Sequence, residues 1–136
     1  MTTEYIVNVY VRICETDLTG YANSTSFMIY FEEARSKFFN AIGYSPDKRD
    51  VGFILASTSC RFKGAAKFNQ SLKIRSTVSR IGKKSFQLSH QMEDGESGIA
   101  IAEGEAVIVC FDFEKQETIP IPGALLSVLE NHLVNA

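Results

Sequence analysis

Residues Ser85 to Glu93 alternate without a fault. Phe86, Leu88, His90 and Met92 fall on one side, and Ser85, Gln87, Ser89 and Gln91 on the other. Laid on a helix, a period of two would scatter the apolar groups around the cylinder, so this segment reads as a strand with one buried face. Its surroundings follow suit. Ser71–Ile81 sets Leu72, Ile74 and Val78 against Lys73, Arg75 and Thr77, and Tyr5–Ile13 sets Val7, Val9, Val11 and Ile13 against Asn8, Tyr10 and Arg12. Gly52–Phe62 and Ile99–Phe113 are further strand candidates. Gly82-Lys83-Lys84 and Asp94-Gly95 mark tight connections, which only antiparallel neighbours can use.

One long segment breaks the period. Phe27, Tyr30, Phe31, Ala34, Phe38 and Ile42 recur at spacings of three and four, with Met28 and Phe39 widening the stripe. Asn23 or Ser24 is placed to cap this helix, and Gly43 to stop it, with Pro46 just beyond. A shorter amphipathic helix opens at Pro122-Gly123 and runs through Leu125, Leu129 and Leu133. Ala100, Ala102, Gly104 and Ala106 share one strand face and are small enough for a helix to lie close. The expectation is an α+β fold, one antiparallel sheet with one long helix, in a single domain over residues 1–136, since that length is short for two cores.

An apolar fraction of 45% with 22% charged residues excludes disorder and low complexity. No apolar run approaches the roughly 20 residues a bilayer span needs, and the N-terminus lacks a signal-peptide pattern, so a cytoplasmic protein without a membrane partner is expected. Cys14, Cys60 and Cys110 have no C-x-x-C spacing and read as reduced thiols in core strands, without a metal. The net charge of −2 conceals an asymmetry. Between Val51 and Met92 there is no acid, and eight Lys and Arg residues leave the rest of the chain at −10. Such a stretch either attracts an anionic ligand or pairs with acids elsewhere in the fold. Nucleic acid is not expected, because the whole chain is acidic and lacks basic–aromatic interleaving.

Dinucleotide fingerprints, Walker loops, G-x-S-x-G elbows and H-E-x-x-H are all absent. The segment that draws attention is Glu15-Thr16-Asp17-Leu18-Thr19-Gly20-Tyr21-Ala22-Asn23-Ser24, a carboxylate on a loop just before a helix N-terminus. Unpaired amides and the positive dipole end there suit developing negative charge. Asp17 either attacks a carbonyl held at those amides, activates a water to do so, or merely caps the turn.

Continued through Phe27-Met28-Ile29-Tyr30-Phe31-Glu32-Glu33-Ala34-Arg35, this segment resembles the opening signature of the hotdog-fold acyl-CoA thioesterases, in particular the 4-hydroxybenzoyl-CoA thioesterase-like family. Cys60-Arg61-Phe62, Ile81-Gly82-Lys83-Lys84-Ser85-Phe86, Ala102-Glu103-Gly104 and Pro120-Ile121-Pro122 agree in order along nearly the whole chain. The resemblance implies a curved antiparallel sheet wrapped around the long helix, a homodimer at least and a homotetramer in fuller assembly, with sites shared between subunits. It implies hydrolysis of an acyl-CoA to free acid and CoA without metal or other cofactor. Asp17 matches the catalytic Asp, and the amide of Ser24 the group that polarises the thioester carbonyl. Gly20, Tyr21, Asn23 and Phe27 fall in the substrate-binding part of the signature. Lys83, Lys84 and Ser85 match a segment contacting CoA phosphates, in agreement with the acid-free basic stretch.

Tyr21 stands where the family often has His, Ser24 where a second Asn is common, Phe27 where Tyr is usual, Ile13 for a Tyr and Ala66 for a Pro. These departures bear on the acyl group and on water activation. They keep a non-catalytic acyl-CoA-binding module in view, and a related enzyme reading replaces CoA with an acyl carrier protein whose acidic surface would dock on the basic segment. The acyl group itself is expected near Phe27, Tyr30 or Phe53, and Glu32, Glu33 and Arg35 fit a helix surface.

Overall fold

The computed structural model describes residues 4–44 and 52–134, so Pro46 lies outside the described residues. Strands β1 (Tyr5–Tyr10), β2 (Gly52–Phe62), β3 (Ser71–Ile81), β4 (Ser85–Asp94), β5 (Ala100–Asp112) and the short β6 (Glu117–Thr118) form one antiparallel sheet, accompanied by helices α1 (Ser24–Ala41) and α2 (Gly123–Asn131). The strand order is β1-β3-β4-β5-β2, with β6 on the end of β5. The hairpins β3–β4 and β4–β5 follow the tight connections, whereas β2 closes the far edge beside β5. Both β1 and β2 are therefore edge strands.

The two faces of this sheet differ as the alternation requires. One carries Leu72, Ile74, Val78, Phe86, Leu88, Met92, Ala102, Ala106 and Ile108, all buried against α1 or α2. On the other, Arg75 lies between Glu4 at 3.0 Å and Glu93 at 2.5 Å, and Arg61 and Lys63 share Glu103 at 3.6 and 3.2 Å. Helix α1 inserts Phe27, Tyr30, Phe31, Ala34 and Phe38 into the apolar side. It approaches closely where the sheet has nothing to oppose it: a Cβ on Gly104 would stand 3.0 Å from the Phe31 ring. That ring stacks on His90, the neighbour of Gly104 in β4, at a centroid distance of 5.5 Å. No helix among the described residues is long and apolar enough to cross a membrane.

Several expectations need correction. Strand β1 ends at Tyr10, and a 3-10 turn over Ile13–Glu15 leaves Ile13 at the surface instead of in line with Val11. The cause is local: the backbone N–H and guanidinium of Arg12 both reach the Glu15 carboxylate, which pulls the chain out of extension. Cys14 sits exposed in that turn, while Cys60 is half-buried in β2 and Cys110 buried in β5, so only the last is a fully enclosed strand thiol. Ala100 is exposed and leaves the small-residue row to Ala102, Gly104 and Ala106. Arg35 is buried, not on the helix surface, with its Nη1 lacking a partner among the described residues.

His90 is fully enclosed and its Nδ1 lies 2.7 Å from Ser76 Oγ. Burial, reinforced by the nearby Arg35 charge, pushes its pKa down from 6.5 to about 3. A base whose folded pKa is depressed stabilises the fold above its unfolded pKa, and that contribution drains away as pH falls through the window between the two values. Urea unfolding should therefore show stability dropping as pH falls from about 6.5 toward 3, by at most about 1.4 kcal/mol per pH unit, with a visibly flatter dependence in His90→Gln. Equal slopes for the two proteins would contradict this assignment.

Candidate functional site

Asn23 starts α1. Its side-chain Oδ1 accepts the Ser26 N–H at 2.9 Å, while its own carbonyl accepts from Ser26 and Phe27 at 3.1 and 3.3 Å. The amides of Ser24 and Thr25, the first two of the helix, have no acceptor among the described residues. They lie at the positive end of the helix dipole.

The loop in front of them is closed on itself and on its neighbour. Thr16 bridges Ala22, the Asp17 N–H donates to the Tyr21 carbonyl at 3.0 Å, and the Gly20 N–H donates to the Asp17 carbonyl at 3.1 Å. Gly20 adopts φ of +83°, where a side chain would be strained. Further bonds, from Phe68 N–H to the Gly20 carbonyl at 3.0 Å and from Ala22 N–H to the Ala66 carbonyl at 2.7 Å, dock it on the β2–β3 connection. Tyr21, bridged to Lys67, remains 44% exposed.

Asp17 itself is exposed. Its Oδ1 accepts both the backbone N–H of Thr19, at 2.8 Å, and the Thr19 hydroxyl, and no hydrogen bond of ordinary length falls on Oδ2 among the described residues. The Thr19 hydroxyl first and its amide second hold this carboxyl below the usual aspartate range. Two residues back, Glu15 is buried: Oε1 accepts from Arg12 N–H at 2.8 Å and Tyr30 OH at 3.0 Å, and Oε2 from Arg12 Nε and Nη2 at 3.0 and 2.8 Å. Burial would raise its pKa, but these bonds outweigh it and hold the carboxyl low. The Glu15 carbonyl accepts from Ser26 Oγ at 2.7 Å and Asn23 N–H at 3.4 Å. Neither Glu15 nor Thr19 was singled out above. A usable signal for Glu15 lay in its spacing of three from Arg12, directly after an alternating strand.

Asp17, Gly20, Tyr21, Asn23 and Ser24 are thus gathered at one end of the sheet. Phe27 is beside them but only 3% exposed, its ring 5.3 Å from Phe62 and 6.3 Å from Tyr30. Tyr30 is equally enclosed, so an acyl group near either meets closed packing in this chain. Lys83, Lys84 and Ser85 are elsewhere. The loop carrying Asp17 follows β1, whose Tyr10 pairs with Ser71 at the start of β3, whereas the lysines follow Ile81 at its other end. Eleven strand residues separate the two groups by about 33 Å. The lysine turn is firm, with Gly82 N–H bonded to the Ser85 carbonyl at 2.7 Å and the Lys83 and Lys84 carbonyls each accepting a backbone amide at 2.9 Å. Of the eight basic residues in the acid-free stretch, Arg61, Lys63 and Arg75 make ion pairs; among the described residues the others make none, including Arg80, Lys83 and Lys84 around this turn. No group of three His, Cys, Asp or Glu side chains that would hold a metal occurs among the described residues.

Since Thr19 supplies the leading interaction on Asp17, Thr19→Val should raise the Asp17 carboxyl pKa toward the ordinary value, and Thr19→Ser should largely retain the shift. Carboxyl-detected NMR titration reads this directly, and an unmoved Asp17 in the valine variant would refute the assigned cause.

A family model of the thioesterase-like superfamily matches residues 11–129. The uncharacterised protein YsmA of Bacillus subtilis (strain 168) is 29% identical over 101 residues, which is 74% of this chain and 68% of that protein. Slr0204, a 1,4-dihydroxy-2-naphthoyl-CoA thioesterase from Synechocystis, is similar in structure with a TM-score of 0.85 at 18% identity, covering 93% of this chain and 95% of that one. The gentisyl-coenzyme A thioesterase BH1999 is similar with a TM-score of 0.82 at 23% identity, covering 92% and 99%. At those identities the structural likeness carries the fold alone, the antiparallel hotdog sheet with its helices. The family rests on the matched residues, which run from the end of β1 into α2: this chain belongs to the thioesterase-like superfamily.

Proposed function

We propose that this protein hydrolyses acyl-CoA thioesters, with Asp17 driving the attack and the Ser24 amide polarising the carbonyl. The observation that carries the reading is a carboxylate held low in pKa on a loop bonded to a helix N-terminus whose first two amides have no acceptor among the described residues. A thioester oxygen directed at those amides becomes the oxyanion. Either Asp17 takes a proton from a water that adds to the carbonyl carbon, the C–S bond breaks and that proton passes to the departing CoA thiolate, or Asp17 itself adds, CoA leaves as thiolate, and a water then hydrolyses the acyl-Asp17 anhydride, freeing the acid and supplying the proton the thiolate gains. Gly20, Tyr21 and Asn23 shape the approach, and Phe27 backs it from the core. Membership of the thioesterase-like superfamily supports the thioester chemistry. The names of the two similar structures support CoA over a carrier protein and place aromatic acyl groups in the test panel. A cytoplasmic setting is part of this reading.

A second copy of the chain completes the arrangement. Strand β2 is an eleven-residue edge with no charged residue before Arg61 and with Leu55 to Ser59 exposed, the kind of edge that pairs unless it is blunted. Antiparallel pairing of β2 with its two-fold mate sets the Phe62 end of one copy beside the Gly52 end of the other. The Phe62 end is the Asp17 end; the Gly52 end, through β5 and β4, is the Lys83 end. The copies then bring Asp17 of one and Lys83, Lys84 and Ser85 of the other to the same end of a continuous sheet, where the basic turn receives the CoA phosphates. A tetramer is the fuller form of the same assembly.

Two measurements follow. Thiol release from short, long and aromatic acyl-CoAs should be lost in Asp17→Asn by at least about 100-fold, with CoA-ester binding by calorimetry retained. Parental turnover in the variant, or no turnover on any ester by the parent, would refute the enzyme reading as stated; saturable binding without product would instead mark a binding module. Light scattering at micromolar concentration should give a dimer mass or a multiple of it, and a monodisperse monomer would sink the shared site.

A further inference from the structure

We infer that Glu15 is a positioning residue for Asp17, an inference that rests on the catalytic reading just given. Glu15 has no reagent's freedom. It is 8% exposed, its two oxygens accept four hydrogen bonds, and one of its partners is the Tyr30 phenol, whose own pKa is pushed up by burial first and by Glu15 second. It therefore neither accepts a proton from substrate nor relays one. A buried carboxylate is costly where an apolar side chain of similar size would fill the same space, so its value lies in direction. The direction is specific: Tyr30 stands in the second turn of α1, and Ser26, which donates to the Glu15 carbonyl, in the first.

Glu15 thus joins three pieces of the site's frame. Arg12 closes the 3-10 turn behind it, Tyr30 and Ser26 tie it to the helix, and Asp17 follows two residues on. The Asp17 loop has its own internal bonds and is docked on the β2–β3 connection through Gly20, Tyr21 and Ala22; Glu15 adds the tie to α1 itself, and so sets where the loop stands relative to the Ser24 and Thr25 amides. Catalysis by a carboxylate and an amide pair depends on that separation, and a misplacement of about 1 Å costs on the order of 100-fold.

The test combines kinetics with a readout that does not need turnover. Glu15→Ala should lower kcat roughly 10- to 100-fold with KM little changed. Glu15→Gln, which still accepts from Tyr30 and the Arg12 amide, should recover most of the loss, and Tyr30→Phe should show a smaller fall. In the Asp17→Asn background Glu15→Ala should cost nothing further, because a positioning residue acts only through the group it positions. Additive losses in the double variant, or a raised KM with kcat intact, would overturn the inference. So would a lowered melting temperature with full activity per folded molecule. If Glu15→Ala does not fold, Glu15→Gln and Tyr30→Phe carry the same comparisons. Independently, the backbone order parameters of Asp17 and Ser24 by NMR should fall from about 0.85 toward 0.6 when the brace is weakened. Unchanged order refutes the positioning role whatever the esters do, whereas parental turnover in Asp17→Asn with reduced order would refute the catalytic reading alone.

Discussion

The seating of Phe31 over Gly104 and His90 sets the height at which α1 lies on the sheet. Gly104 has no side chain to hold the ring off, and His90 presents a flat neutral face to it. Every position that follows from α1, including the level of its N-terminus against the loop before it, depends on that contact. It also explains an uneconomical choice in the core. A buried imidazole bonded to Ser76 and lying near Arg35 costs more to enclose than an aliphatic group, but it supplies a stacking plane of the right height.

From that seating the chemistry of the site follows by geometry. The helix start projects two amides without an acceptor among the described residues, Asn23 accepts from the next two along, and the Asp17 loop is held beside them through Glu15 by bonds from Ser26, Asn23 and Tyr30. The carboxylate needs no metal and no histidine to be ionised, since the Thr19 hydroxyl and amide already favour its charged form. What one chain lacks is enclosure and a second anchor. The basic turn at Lys83 and Lys84 lies a whole strand away, and it is the proposed pairing of two copies along β2, uncharged before Arg61, that would bring the ends together.

Much of this architecture was legible in the order of residues. The bounds of β2 and β3 were read to the residue, β4 and β5 within one, and α1 from its cap to within one residue of its end. These succeed because alternation and three–four spacing are consequences of which backbone face is buried, and the tight connections left few alternatives. Ile13 continued an alternation that Arg12 and Glu15 interrupt through side-chain bonds; Arg35 carried a charge that composition assigns to the surface; Cys14 was swept in with two strand thiols. For Ile13 and Cys14 the polar contact of Arg12 with Glu15 overrode the local pattern, whereas Arg35 is enclosed although its Nη1 finds no partner among the described residues.

The sequence by itself determined the fold class, the position of the long helix and the loop that bears Asp17, because these depend on periodicity and on which residue types cap and turn a chain. Tertiary structure alone decided that Glu15 is buried against Tyr30 and that Lys83 and Lys84 stand at the opposite end of the sheet from the Asp17 loop. Those facts turn on distances between residues eleven to sixty-odd positions apart, and such distances are set by strand order and helix height, which no local pattern of side chains encodes.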